Sequence, residues 1–305
     1  QISILTTLYC SSPHLAKFHE KVSEILNSLN VSYEIILVND GSPDNSLEVA
    51  LKLKEKDPNI VVVDLSRNFG QHHAILAGFE VAKSDHIFLI DSDMEEPPEC
   101  LLDFYKYMIE NKDVDVVYGV QAKQRKGGLF ERFTGSVFYK VFNLVSTTKI
   151  SENICSARLM SKYYVKEVLR MGDSNLFLGA QFAWLGFKQH AIPIEKKQVK
   201  QKSSYSLSKK INLLVNAISS FSSQPIRMIF YVGTVLFSFS FLFSIWIVIK
   251  KLLNPEVSAG WSSIMVSIWL LGSMIILFLG IIGIYISKIF NEVKRRQRYI
   301  IKRIY

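Results

Sequence analysis

The sequence predicts an α/β head with a mostly parallel sheet, followed by interfacial helices and a two-helix transmembrane hairpin. Three observations support this. The first 120 residues alternate apolar, β-branched runs with amphipathic segments; two stretches in the last third, 228–249 and 264–286, hold no Asp, Glu, Lys or Arg; and the chain ends on a cluster of basic residues. Continuous apolar strands separated by helices indicate a sheet covered on both faces, and a charge-free run of about 20 residues is long enough to cross a hydrocarbon core as a helix.

In chain order, strands are expected at 2–9, 33–38, 60–65, 86–90 and 114–118, with helical patterns between them near 13–29, 45–56, 72–82 and 98–111. Two later segments repeat apolar residues at helical spacing: 129–145, through Phe130, Phe133, Val137, Phe138, Val141, Phe142 and Val145, and 207–221, through Leu207, Ile211, Leu214, Val215, Ile218 and Phe221. Both read as amphipathic helices that lie in a membrane interface, with packing on the domain core as the alternative. The loop between the two apolar runs contains Asn254, Pro255 and Gly260, so the runs form an antiparallel hairpin that returns the chain to its starting side.

Charge orients the hairpin. From Lys288 to the end there are seven basic residues against Glu292 alone, whereas the loop between the runs has only Lys250 and Lys251. The positive-inside bias therefore places head and both termini in the cytoplasm, in a multi-pass protein of the inner or plasma membrane. That tail accounts for +6 of the net +9, which favours anionic lipid headgroups as its partner and argues against nucleic acid. Cys10, Cys100 and Cys155 have no metal-binding spacing and read as buried or incidental thiols. No secretory signal pattern opens the chain, which begins with Gln1.

In an open parallel sheet the ligand site lies beyond the carboxyl ends of the strands. The second predicted strand is followed there by Asn39-Asp40-Gly41-Ser42-Pro43-Asp44, the third by Ser66-Arg67-Asn68-Phe69-Gly70 and the fourth by Asp91-Ser92-Asp93. Asp-Gly-Ser-Pro is also ordinary turn chemistry. Asp91 and Asp93 place two carboxylates at one strand end, an arrangement that needs a cation or donors to neutralise it. Oxygen-only ligation suits Mg²⁺ or Mn²⁺, completed by substrate phosphates and water. Neither a dinucleotide fingerprint nor a P-loop is present. His72 and His73 open a helix and read as solvated or turn-capping, and Trp184 and Phe187 read as core.

Taken together, VNDGSPDNS, LSRNFGQHHAILAGF, IDSDMEEPPE and VVYGV resemble the GT-A head of glycosyltransferase family 2. SARLMS, AWLGF, SSYSLSKKINLL and the terminal apolar pair are similar to its polyprenyl-phosphate branch, which includes dolichyl-phosphate mannose synthase and bacterial undecaprenyl-phosphate glucosyltransferases. The resemblance implies a catalytic head at 1–206, with an interfacial helix near 129–145, a juxtamembrane helix at 207–225, transmembrane helices within 226–287 and a basic tail at 288–305. It also implies donor contacts from Asp40, Ser42, Arg67, Asn68, Asp91 and Ser92. Asp91 and Asp93 become the catalytic D-x-D pair, and Asp93, Asp91 and Glu95 the metal ligands. Arg125, Arg132, Ser156 and Arg158 fall on the acceptor phosphate.

The chain departs from the family pattern at several places. Leu8-Tyr9-Cys10-Ser11-Ser12 stands where the family reads Tyr-Asn-Glu, Gln121 stands for a frequent Arg, and Glu95 for a frequent Gln. Ser204 stands for a Lys, with Lys200 and Lys202 as substitutes and Arg125 as the replacement charge near Gln121. The activity implied is inverting transfer of a sugar from a UDP-linked donor to a polyprenyl phosphate, in cell-surface glycan synthesis or modification. Two alternatives remain: transfer to the hydroxyl of a lipid-linked saccharide or surface glycan, with Glu95 or Glu96 as base, and an inactive membrane scaffold or sugar-nucleotide binder. A homo-oligomer is also open. A processive synthase is disfavoured because no Q-x-x-R-W motif is present.

Overall fold

The computed structural model describes residues 1–122, 153–173, 176, 178–196, 228–229, 231–235, 238–239, 242, 260–294 and 296–305. The chain divides into two units, one holding 1–140, 148–206 and 296–305, the other 141–147 and 207–295.

The first unit is the α/β head. Its strands are β1 (Ile2–Leu8), β2 (Tyr33–Asn39), β3 (Ile60–Leu65), β4 (His86–Leu89), β5 (Val116–Gln121), β6 (Ile154–Ser161), β7 (Gln189–Ile194) and β8 (Ile301–Ile304). They form one sheet in the order β7-β5-β6-β4-β1-β2-β3-β8. β1 pairs in parallel with β2 and β4, β2 with β3, and β5 with β7; β6 runs antiparallel to both β4 and β5, and β8 antiparallel to β3. The mostly parallel expectation therefore holds for the strands with a clear apolar period, and the antiparallel members are those the period did not show.

Helices α1 (Ser12–Leu29), α2 (Ser46–Lys56), α3 (Gln71–Val81), α4 (Cys100–Glu110), α5 (Lys162–Arg170) and α6 (Leu178–Trp184) cover the sheet. Side chains alternate between the two faces of a strand, so Ile2, Ile4 and Leu8 pack with Leu15, Phe18, Ala50 and Phe104 of α1, α2 and α4. Leu5, Ile36 and Val38 pack on the other face with Ala74, Tyr164 and Phe182 of α3, α5 and α6. Two cores flank one sheet, and the polar strand ends are left to the loops. Trp184, expected in the core, is instead 61 % exposed; Phe187 stacks edge-on against Tyr163 and Tyr164. Cys100 and Cys155 are buried and Cys10 is exposed.

The last residues differ from the expected basic tail. Arg296–Tyr305 belongs to the head unit, where β8 closes the β3 edge with Lys302 and Arg303 on the outermost strand. Charged residues there discourage pairing with another chain.

In the second unit, α7 (Trp261–Val293) is 33 residues long, about 50 Å at the α-helical rise. Within it Met274–Val293 has a mean hydropathy of 2.0 and is unburied, and it is the one helix among the described residues long and apolar enough to cross a membrane. The helix extends past the expected 264–286 at both ends, because Lys288, Asn291 and Glu292 continue the backbone hydrogen bonding even though they end the apolar run. The other predicted span, 228–249, lies mostly outside the described residues, as do the amphipathic segments 129–145 and 207–221.

Candidate active site

At the carboxyl edge of β2, β3 and β4 the three predicted loops are tied to one another. Asp40, 2 % exposed, accepts the backbone N–H groups of Phe69 and Gly70 at 2.7 and 2.9 Å. Its carboxylate thereby holds the turn into α3. Gly41 has φ +56°, and a Cβ there would meet the Asn68 nitrogen at 2.4 Å and the Arg67 carbonyl carbon at 2.5 Å. Only a residue without a side chain lets the two loops lie against each other, a constraint that motif reading missed. The Arg67 guanidinium lies 4.2 Å over the Phe69 ring, and both Arg67 and Asn68 are exposed at the rim.

Ser42 is a strut of this edge. Its hydroxyl accepts from the Cys10 N–H at 2.8 Å and donates to Asp44 at 2.5 Å. Asp44 also accepts from the Ser46 hydroxyl and the Ser12 N–H. Burial opposes its ionisation, yet these hydrogen bonds hold its carboxyl well below the usual range.

Asp91 accepts from the Gln71 side-chain amide at 2.8 Å, which joins the start of α3 to the end of β4. Burial first, and then the neighbouring Glu96 charge, push its carboxyl up to about 6. Ser92 is buried. One oxygen of Asp93 accepts the Glu95 N–H at 3.0 Å across Met94, whose φ is +63°. Burial and the Asp93 charge raise the Glu95 carboxyl as well.

The donor set fits a hard divalent cation: every candidate group is a carboxylate, and the crowded negative field around Asp91 is one that a cation would relieve. Among the described residues no three Asp, Glu, His or Cys side chains converge as a ready-made cage, so Asp91, Asp93 and Glu95 do not form a preassembled trio. A Mg²⁺-type site uses one or two carboxylates and takes the remaining ligands from substrate phosphates and water.

Glu96 was weighed from sequence only as a base. It is 1 % exposed and accepts the Ser156 and Ala157 N–H groups at 2.9 and 2.6 Å, with Lys196 Nζ at 2.8 Å. Burial works against the Lys196 charge, but Glu96 holds it above its ordinary value. The pair binds the loop after β4 to the start of β6 and to the end of β7.

Of the expected phosphate-binding residues, Ser156 and Arg158 stand on β6, while Arg125 and Arg132 lie outside the described residues, as do Lys200, Lys202 and Ser204. Arg158 is 7 % exposed, lies 4.1 Å over the Phe182 ring and donates to the Ser156 and Cys155 carbonyls. Its charge is internal, held on the β6 backbone and the Phe182 ring. His72 and His73 are half-buried rather than solvated, and burial lowers both; His72 Nδ1 lies 3.1 Å from the Leu176 carbonyl.

Residues 3–169 match the model of glycosyl transferase family 2. Over 305 residues the chain is 37 % identical to a protein of Mycobacterium tuberculosis described among the glycosyltransferases, covering 100 % of this chain and 88 % of that one. It is 32 % identical over 306 residues to the SfII prophage-derived bactoprenol glucosyl transferase of Shigella flexneri, covering 99 % of this chain and 98 % of that protein. Among solved structures, the mannosyltransferase PcManGT from Pyrobaculum calidifontis, in complex with GDP-Man and Mn²⁺, superposes with a TM-score of 0.52 at 13 % identity, over 96 % of this chain and 85 % of that one. That likeness concerns the fold alone, whereas the family match runs from β1 through β6 and the loops between them: the chain belongs to glycosyltransferase family 2.

Proposed function

We propose that the protein transfers a sugar, with inversion, from a UDP-linked donor to a polyprenyl phosphate at the cytoplasmic face of a membrane. The observation that carries this reading is the end-to-end similarity to a bactoprenol glucosyl transferase, extending through α7, whose Met274–Val293 stretch is apolar enough to lie in lipid.

The site residues divide the work. Asp40 and Gly41 hold the 66–70 loop against the donor side, where Arg67 and Asn68 stand exposed. Asp93, Asp91 and Glu95 are the carboxylates that would hold Mg²⁺ or Mn²⁺, which when bound would offset charge on the leaving nucleotide diphosphate. A phosphate monoester has a second pKa near about 6, so the acceptor is largely ionised at neutral pH and needs no general base. The protein's tasks are then positioning and charge compensation, with Arg125, Arg132 and Ser156 on the acceptor phosphate and the buried Arg158 contributing positive field from below.

The rival reading, a hydroxyl acceptor, requires a base. Glu96 is poorly suited, since it is itself buried and both of its oxygens already accept hydrogen bonds; Glu95 is the remaining candidate.

Connectivity supports a paired membrane crossing. β1 and β8 stand in one sheet, so the chain that leaves the head must come back to it. If α7 crosses the bilayer, a second crossing is needed between 207 and 260, where 228–249 is the charge-free stretch and its described positions are helical. Head and both termini then share the cytoplasmic side.

The deciding experiment incubates the purified full chain with labelled UDP- or GDP-sugars, Mg²⁺ or Mn²⁺, and short polyprenyl phosphates. Label is expected in the organic phase with the UDP-sugar, and its absence with every phosphate acceptor would reject the reading. Asp93→Asn is expected to abolish transfer and to leave the fold intact.

A further inference from the structure

The end of the chain reaches the donor side of the pocket by two routes. Along the backbone, Val62 and Tyr305 exchange hydrogen bonds of 3.3 and 2.9 Å, and the Ile300 carbonyl accepts the Ser66 N–H at 3.0 Å. Ser66 is the first residue of the loop that carries Arg67 and Asn68. Through side chains, Lys302 Nζ lies 3.8 Å from one oxygen of Asp64. The other Asp64 oxygen accepts from the Asn39 side-chain amide at 2.7 Å. Asn39 in turn accepts the Ser42 N–H at 3.3 Å. Asp64 and Asn39 are 3 % and 4 % exposed, so this is a buried polar relay running from the last strand to the Asp40-Gly41 turn. Both routes end on the same pair of loops, which touch at Gly41. A third contact, Tyr299 Oη donating to Glu80 at 2.6 Å, fixes the strand to the far end of α3.

We infer that Asp64 is a positioning residue for the donor nucleotide and that β8 is the strap that holds its loops in place. The inference rests on the donor half of the proposed function and is independent of what the acceptor is. Strand β3 would otherwise be a sheet edge with its Ser66 N–H and Asp64 carboxylate facing water, and the loop beyond it would lose two of its fixed anchors. Lys302 is largely exposed, which makes its ion pair the weak link; the backbone pairing and the buried Asn39–Asp64 hydrogen bond are the strong ones. Asp64 reaches no substrate itself. Its effect is felt through Asn39, Ser42 and the 66–70 loop, so losing it should weaken donor binding selectively.

The test uses the full chain in detergent. UDP and GDP affinities are measured by equilibrium titration without acceptor, and KM is measured separately for donor and acceptor. Asp64→Ala is expected to weaken nucleotide binding and raise donor KM by about tenfold, with acceptor KM little changed. Asp64→Asn, which keeps an oxygen for the Asn39 amide, should recover most of the affinity, a rescue that a purely space-filling role would not distinguish from Asp64→Leu. Ending the chain after Arg296 should reproduce the donor defect. A folded Asp64→Ala protein with wild-type nucleotide affinity would overturn the inference. If that variant fails to fold, Asn39→Ala breaks the same relay one residue later, and unchanged affinity there would overturn it equally. Because nucleotide binding is read without acceptor, failure of the lipid-phosphate reading leaves this result interpretable.

Discussion

Replacing Glu96 should separate a framework carboxylate from a catalytic one. In Glu96→Ala the half-buried N–H of Ser156 and the buried N–H of Ala157 lose their acceptor and Lys196 loses its partner. Each unpaired buried N–H costs about 1–3 kcal/mol. Lys196 retains 29 % side-chain exposure, so water takes over part of its solvation and its share is discounted. The sum is about 3–5 kcal/mol, in the range for breaking a buried pair. At about 2–4 °C per kcal/mol for a unit of this size, the melting temperature should fall by about 10 °C. Glu96→Gln, which keeps one acceptor oxygen and the side-chain volume, should fall by about half as much. The assay is thermal unfolding of the full chain in detergent, followed by near-UV circular dichroism. A Glu96→Ala protein melting within about 2 °C of wild type would refute the structural assignment, and loss of transfer without loss of stability would return Glu96 to the list of candidate bases.

Three further outcomes are expected. Because the Asp91 carboxyl is raised from 3.8 to about 6, the fold favours its protonated form, a stabilisation that is full below about pH 4 and lost as pH rises to about 6; Asp91→Asn should therefore raise the melting temperature of the unliganded protein at pH 7.5, with the gain roughly halved at about pH 5 and gone below about pH 4. Gly41→Ala should weaken nucleotide binding by about tenfold in an equilibrium titration, because its Cβ has no room against the Arg67–Asn68 backbone; unchanged affinity would mean that the two loops move independently. Reporters before β1 and after Tyr305 should mark the same compartment, and a tag near Ser258 should be reachable only from the other side. A Ser258 tag protected in intact cells and exposed on permeabilisation would reject the paired crossing.

The sequence by itself determined β1 to β5, α1 to α4, the loops that follow the strands and the apolar helix, because each is written in a local period or a local run. Apolar residues every second or every third and fourth position declare which face is buried, and Asp91-Ser92-Asp93 is legible because two adjacent carboxylates are costly wherever they sit. The family motifs added an expectation of the site's chemistry. What surrounds those residues was decided only in three dimensions. β8 pairs with a strand more than 230 residues earlier, and its basic composition hid a strand inside what looked like a tail. β6 enters between β4 and β5 against the expected chain direction. Glu96, weighed from sequence as a base, lies buried on the β6 backbone; Arg158 turns inward over Phe182; and Trp184 turns out. In each case the residue's own pattern is silent because its environment comes from partners far away in sequence. Pairing and burial belong to the contact between elements, whereas periodicity belongs to each element alone.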